Sequence, residues 1–427
     1  MFFRKTHFLK LRRQNNYINH FVLFYFSNLF KCRIGYQSFR MAEVLVFLTS
    51  ITLILIASII ALAVAKWTKL PIPLLLFVAG VLLGNIIYLG KPVVLLSGAF
   101  LSALSIVALL VVVFDAVSKI KFYNLDRSMK DVVWFFAFAL LLNLVLVSFA
   151  VRSFFGVSWL VAILFSLIIS CIEFTAVFPR HHAPQNRIMQ LLKDESQLSC
   201  AVIVVLPFLI LSFLQFTSLP LQGNLVVALL PFLMYVSVGI GIGVILSIIL
   251  FKLMHYVFLE KLSSFLLVVA LLLAYLAAQY MSGSAVLAVA TIGLVFGNVF
   301  VKQRATIKAQ EHIIYYFLEI LIFVIAGVIV GFPFSLDFLR ISLGLFLLYL
   351  LIRFITAQIV LQKYNFFERL EVALFVPKGL ITVAIAFALL NYSFTGVVLL
   401  LQLLLAFFVY SLIFDTILDK VGIYKKR

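Results

Sequence analysis

The feature that most constrains this chain is a series of long apolar runs, each about as long as a membrane crossing and each closed by a short polar gap. A hydrocarbon core about 30 Å thick is spanned by roughly 20 residues of helix. Thirteen runs meet that length to within a few residues: about 42–65, 71–90, 97–117, 131–151, 157–178, 195–216, 225–251, 262–281, 284–300, 313–333, 338–361, 370–391 and 396–417. Little is left over for a soluble domain. The spans predict an all-α polytopic membrane protein of about 13 transmembrane helices.

Composition agrees. Of 427 residues, 65% are apolar and 11% charged, against about 45–50% and about 25% in soluble domains. A cytosolic enzyme, a nucleic-acid-binding domain and a disordered chain are thereby excluded as classes. The net charge of +18 is distributed in gaps and not gathered on one face, so it signals no nucleic-acid partner. Cys32, Cys171 and Cys200 are widely spaced and form neither a disulfide framework nor a zinc pattern.

The cations orient the chain. Gaps after odd-numbered spans carry Lys66 and Lys69, Lys119 to Lys130, Arg180 to Lys193, Lys252 and Lys261, Lys302 to Lys308, and Lys363 and Arg369. Gaps after even-numbered spans carry Lys91, Arg152 and Arg340 alone. By the positive-inside rule the odd gaps and the basic tail 421–427 are cytoplasmic. A cell membrane, of prokaryotic inner-membrane type, is the expected location. Residues 1–40 hold eight Lys/Arg yet would fall outside. Three readings fit them: a true start at Met41 (the one adopted), a signal-like element, or an extra short helix. The body is then a transmembrane domain over 41–420.

Two hexads match, Gly80-Val-Leu-Leu-Gly84-Asn85 in span two and Gly293-Leu-Val-Phe-Gly297-Asn298 in span nine. Seven spans separate them, so the matched segments run in opposite directions. That predicts inverted-topology repeats, about 42–216 and 262–417, with 225–251 as linker helix. The alternative is ordinary small-residue helix packing. Spans five and twelve, also seven apart, are both interrupted. One breaks at Ile172-Glu173-Phe174-Thr175 and stops at Pro179; the other carries Pro377-Lys378-Gly379. Paired broken helices near the midplane direct their end charges at one site.

A charge at the bilayer centre costs about 2.5–3.5 kcal/mol on insertion scales. Asp115, Glu173, Glu195, Glu319, Arg353 and Lys378 stand out inside the runs. Glu173 is the leading candidate for a carboxylate that binds a proton or a cation in turn. Lys378 would neutralise a negative helix end, pair with Glu173, or satisfy carbonyls of the break. Glu195, Ser196, Ser199 and Cys200 make one polar stripe on a helix. A buried Glu195 calls for Arg353 as partner. Asp115 fits a funnel charge or an interface anchor, Glu319 a structural pair. Adjacent His181 and His182 read as solvated loop residues, not a metal site.

The ordered set of Leu70-Pro-Ile-Pro-Leu-Leu-Leu76 with Gly80 and Gly84, Phe114-Asp115, Ile172 to Phe178, Leu192-Lys-Asp-Glu195-Ser196, Arg353 and Pro377-Lys378-Gly379-Leu380 resembles the monovalent cation:proton antiporter superfamily, the sodium/proton exchangers. The resemblance covers 42–417. It implies a dimerisation domain, a mobile core, and elevator-like exchange of Na⁺ or K⁺ for H⁺ by a homodimer. The family reads Thr-Asp-Pro at the span-five break, where this chain has Ile172-Glu173-Phe174. It has Asn-Asp or a related pair in span six, where this chain has Ser199-Cys200. Cys200 thus stands at the family's usual ion-binding aspartate, and a thiol is a poor ligand for a hard alkali cation. The implied ion- and proton-binding set is Glu173, Ser196, Ser199, Cys200 and Thr175. Glu195 and Arg353 form the implied interhelical pair, and Asp115 a cytoplasmic funnel charge. Lys378 compensates charge at the crossing, with Pro377 and Gly379 as helix breaks.

The expected function is secondary transport, one proton for one monovalent cation by alternating access, with the lipid bilayer as surrounding and no cofactor or resident metal. An uncoupled conduit and a non-transporting sensor are the rivals. No His-Glu-x-x-His or paired-aspartate cluster supports an enzyme.

Overall fold

The computed structural model describes residues 44–421, apart from 69, 89–90, 122–126, 178–185, 218–224, 257–262, 300–303 and 330–334. The segment 1–40, the tail from 422, and Pro179, His181 and His182 lie outside these residues.

The described chain is helical but for one small hairpin, β1 (Ile87–Tyr88) antiparallel to β2 (Lys91–Pro92). In order come α1 (Val44–Thr68), α2 (Ile72–Gly84), α3 (Gly98–Ser118) and α4 (Arg127–Leu142). A π-helical turn, Asn143–Val147, joins α4 to α5 (Ser148–Phe155). Then follow α6 (Trp159–Ile168), a 3₁₀ turn (Phe174–Ala176), α7 (Arg187–Ile203), α8 (Leu206–Thr217), α9 (Leu225–Tyr256), α10 (Ser263–Tyr280) and α11 (Ala285–Asn298). The chain ends with α12 (Arg304–Ile329), α13 (Leu336–Val360), α14 (Phe366–Leu374), α15 (Leu380–Leu389) and α16 (Val397–Val421). Among the described residues seven helices are long and apolar enough to cross a membrane, and six shorter apolar ones have 10–17 residues.

Every predicted apolar run falls on one of these helices or on a consecutive pair, but several edges move. Helix α7 starts at Arg187 and α12 at Arg304, well ahead of the predicted 195 and 313. Their first turns are amphipathic, so hydropathy alone misses them. Glu195 therefore lies in mid-helix and not at a helix start. Span six is also divided, between Ile203 and Leu206.

Helix starts follow side-chain capping. The hydroxyls of Ser97, Ser158, Ser284 and Ser335 accept from Phe100 N, Val161 N, Leu287 N and Phe338 N. Asn365 and Glu368 form a capping box at α14. Close packing comes from small residues, which let backbones approach where no hydrophobic force separates protein from lipid. Helix α2 lies along α12 and α3 along α11. A Cβ on Gly84 would come 2.7 Å from Val328 O, and one on Gly80 would strike Val324 O. A Cβ on Gly293 would come 3.1 Å from Phe114 O, and one on Gly297 would strike Ser118 O. The two glycine hexads thus hold two helix pairs, each inserting into a different partner. Large apolar side chains such as Leu45, Ile59, Leu230 and Ile248 cover the outer faces of α1 and α9.

Candidate ion-binding site

Two interrupted helices meet in the core. Helix α6 ends at Ile168, and the chain runs unwound to Glu173 before the 3₁₀ turn. Between α14 and α15 the residues Phe375–Gly379 are unwound. Pro377 has no N–H to give a helix, and the fully buried Lys378 follows it. The backbones cross where Glu173 N donates to Pro377 O (2.9 Å). The rings of Phe174 and Phe375 pack 5.8 Å apart.

Each break supplies the charge that the other's helix end requires. The Glu173 carboxylate, 3% exposed, accepts from Ile381 N (2.6 Å) and Thr382 N (3.4 Å) through Oε1. It thereby caps the N-terminus of α15, where unpaired amides and the helix dipole favour an anion. Gly379 makes room: a Cβ there would come 2.5 Å from Glu173 Oε2. Lys378 Nζ donates to Ile169 O, to Cys171 O (2.7 Å) and to Tyr349 Oη (2.9 Å). It closes the C-terminal end of α6, and its ammonium lies 4.6 Å from the Tyr349 ring centre. Three acceptors use the three N–H bonds of an ammonium. These contacts of Lys378 are those of carbonyl and helix-end neutralisation.

The polar stripe of α7 serves the unwound backbone of the first break. Ser196 Oγ accepts from Phe174 N (2.9 Å) and Ser199 Oγ from Ile172 N (3.3 Å). Cys200 Sγ donates to Ile172 O (3.0 Å) and lies 3.1 Å from Cys171 Sγ. Both cysteines are buried, free thiols. Thr175 sits within the 3₁₀ turn and is half-buried. Glu195, 1% exposed, and Arg353, 2% exposed, form a bidentate pair at 2.7 and 3.2 Å. Arg353 also donates to Val372 O (2.9 Å) ahead of the second break and lies over the Phe135 ring. Asp115 is buried on α3 and pairs with Lys119 at 2.6 Å. Glu319 is half-buried on α12.

Three residues escaped the sequence reading. Thr382, 1% exposed, donates its backbone N–H to Glu173 and has a buried hydroxyl with no hydrogen-bond partner. Asn143, on the π turn, donates to Ser170 Oγ (3.0 Å) just before the first break. Asp415 on α16 is wholly buried. A polar group inside an apolar run was available as a signal for Asp415 and Asn143; nothing in sequence marks Thr382. Among the described residues, no cluster of three or more His, Cys, Asp or Glu could hold a metal ion.

The same fold occurs in the sodium proton antiporter MjNhaP1 from Methanocaldococcus jannaschii. That structure matches with a TM-score of 0.68 at 19% identity, over 89% of this chain and 99% of the other. A comparison with curated protein sequences finds no significant match. The family model described as sodium/hydrogen exchanger, transmembrane, matches residues 52–420. Since that match takes in both helix breaks and the Glu195–Arg353 pair, the chain belongs to the sodium/hydrogen exchanger family.

Proposed function

We propose that the protein exchanges one proton for one monovalent cation, Na⁺ or K⁺, by alternating access, with Glu173 loaded by each in turn. The observation that carries this reading is the crossing itself: a buried carboxylate on one break holds the helix that starts at the other. Ionised, Glu173 is stabilised by the α15 amides. A proton or cation on the carboxylate competes with those amides. Loading therefore loosens Glu173 from α15, which ties occupancy to the geometry of the crossing.

Cation ligands come from Glu173 Oε2, the Thr382 hydroxyl and carbonyls of the unwound segments, oxygen donors suited to a hard cation. The Cys200 thiol is not one of them, and Ser196 and Ser199 position the break. A polar cavity of about 380 Å³, lined by Gln215, Tyr235, Tyr275, Gln279 and Tyr392, lies at the C-terminal end of α15, the end opposite Glu173. The Asn391–Ser105 hydrogen bond (2.8 Å) crosses beside it. The C-terminus faces the cytoplasm of the cell in this reading, and two copies associate as a homodimer.

The test is proton flux in proteoliposomes on addition of Na⁺ or K⁺, with and without Glu173→Gln. The parent should move protons against cation flow, and the variant should not. Undiminished flux in Glu173→Gln removes Glu173 from the site. Flux without coupling marks a conduit, and no flux in the parent a sensor.

A further inference from the structure

The exchange reading gives no part to two buried thiols, Cys171 and Cys200. Their spacing hides them as a pair, since 29 positions separate them, yet the fold brings their sulfurs to 3.1 Å. Cys200 has one S–H, and it goes to Ile172 O (3.0 Å). The Cys171 thiol is then the donor to Cys200 Sγ. The backbone is held on both sides of this contact. Cys200 lies inside α7. Cys171 lies in the unwound stretch, where its N–H donates to Ile168 O (3.2 Å) and its carbonyl accepts from Lys378. Just beyond it, Ser199 and Ser196 fasten Ile172 N and Phe174 N to α7.

Two sulfurs so placed are one oxidation away from a bond. A disulfide has an S–S distance of about 2.0 Å, so the pair must close by roughly 1 Å from 3.1 Å. Hydrogen peroxide, small and uncharged, is a sufficient oxidant. One thiol gives up its proton and its sulfur attacks a peroxide oxygen; the O–O bond breaks, water leaves and a sulfenic acid remains. The second sulfur attacks the first and expels another water. Two thiols and one peroxide become one disulfide and two waters, and the two electrons pass from sulfur to oxygen. Buried thiols react slowly, but in the exchange reading the crossing opens to each side in turn and admits small solutes. The product differs from the reduced pair in two ways. Ile172 O, next to Glu173, loses its S–H donor. The first break becomes covalently joined to α7, which already holds it by hydrogen bonds alone.

We propose that Cys171 and Cys200 are a reversible oxidation site, and that their disulfide arrests exchange by locking the first break to α7. The site stands on the sulfur contact; the arrest rests on the exchange reading. The test uses the full-length protein in proteoliposomes, treated with hydrogen peroxide and then with dithiothreitol. Peptide mapping of the peroxide-treated parent should find 171 linked to 200, with the mass lowered by two hydrogens. Its thermal unfolding midpoint should rise, and dithiothreitol should reverse both changes, which it would not do for oxidised methionine. Cation-driven proton flux should fall with the linkage and return on reduction. In Cys171→Ser and Cys200→Ser the ratio of treated to untreated flux should not change, whatever the flux of either variant. A parent that exchanges cations yet keeps both thiols under peroxide, or links either to Cys32, overturns the proposal, and this needs no variant to fold. A linked parent with undiminished flux overturns the arrest. If the parent drives no flux, the exchange reading fails, and the linkage and the unfolding midpoint still decide the oxidation site.

Discussion

At the scale of single residues, the core is held by buried charges that each answer a specific need. Arg353 is the clearest case, since it pairs with Glu195 through two bonds and closes Val372 O with a third. Removing one partner of a buried pair leaves the other uncompensated, at a cost of about 3–5 kcal/mol, whereas an apolar pair of similar volume is often tolerated. Glu195→Leu and Arg353→Met are each expected to lower the thermal unfolding midpoint strongly in detergent, and the double variant less than either alone. An additive double variant would show that the pair contributes no coupling. Glu173, Lys378, Glu195 and Arg353 were legible in the sequence because a charge inside an apolar run needs a reason. The partners of Glu173 and Lys378 were not. Lys378 meets carbonyls of residues more than 200 positions away, and no periodicity encodes such a contact. Asp415 carries the same signal as the others but lies near the end of the last run, where acids commonly reach the interface.

At the scale of elements, what could be read depended on whether an interruption left a chemical mark. The second break is announced by Pro377 and Gly379. The first is announced only by Glu173, because no proline falls between Ile168 and Ala176. The π turn at Asn143–Val147 carries neither Pro nor Gly, whereas the gap between α7 and α8 is marked by Pro207, the second residue of α8, which cannot donate back to Ile203. Gly80 and Gly84 were legible as small residues, though not which helix they admit. Their substitution gives an element-scale prediction. Gly80→Ala and Gly84→Ala press a methyl against the α12 backbone, and overpacking of this kind costs about 1–3 kcal/mol. Gly241 and Gly344 have open space where a Cβ would stand, and Ala there should gain up to about 1 kcal/mol from helix propensity. Thermal unfolding of the four variants should split two against two. Equal behaviour would mean that α2 and α12 do not approach as closely as this packing requires.

At the scale of the whole molecule, burial makes charge neutrality the controlling condition. A core that shuttles between two sides of a bilayer crosses the potential with whatever net charge it holds, and each elementary charge is worth about 2.3 kcal/mol per 100 mV. In the proposed exchange the proton-loaded and cation-loaded forms carry the same charge, because each adds one positive charge at Glu173. One-for-one exchange between those two forms would move no net charge across the bilayer in a full cycle. Exchange should therefore run at the same rate in vesicles clamped at zero potential and at an imposed potential of either sign, with no current on a supported membrane during coupled turnover. Cys200→Asp adds an acid beside the first break, so a core loaded one for one carries one more negative charge than the parent's. It should make turnover voltage-sensitive, or draw in a second proton or cation that shifts the stoichiometry. A parent protein whose exchange is driven by the imposed potential would mean that the exchange is not one for one.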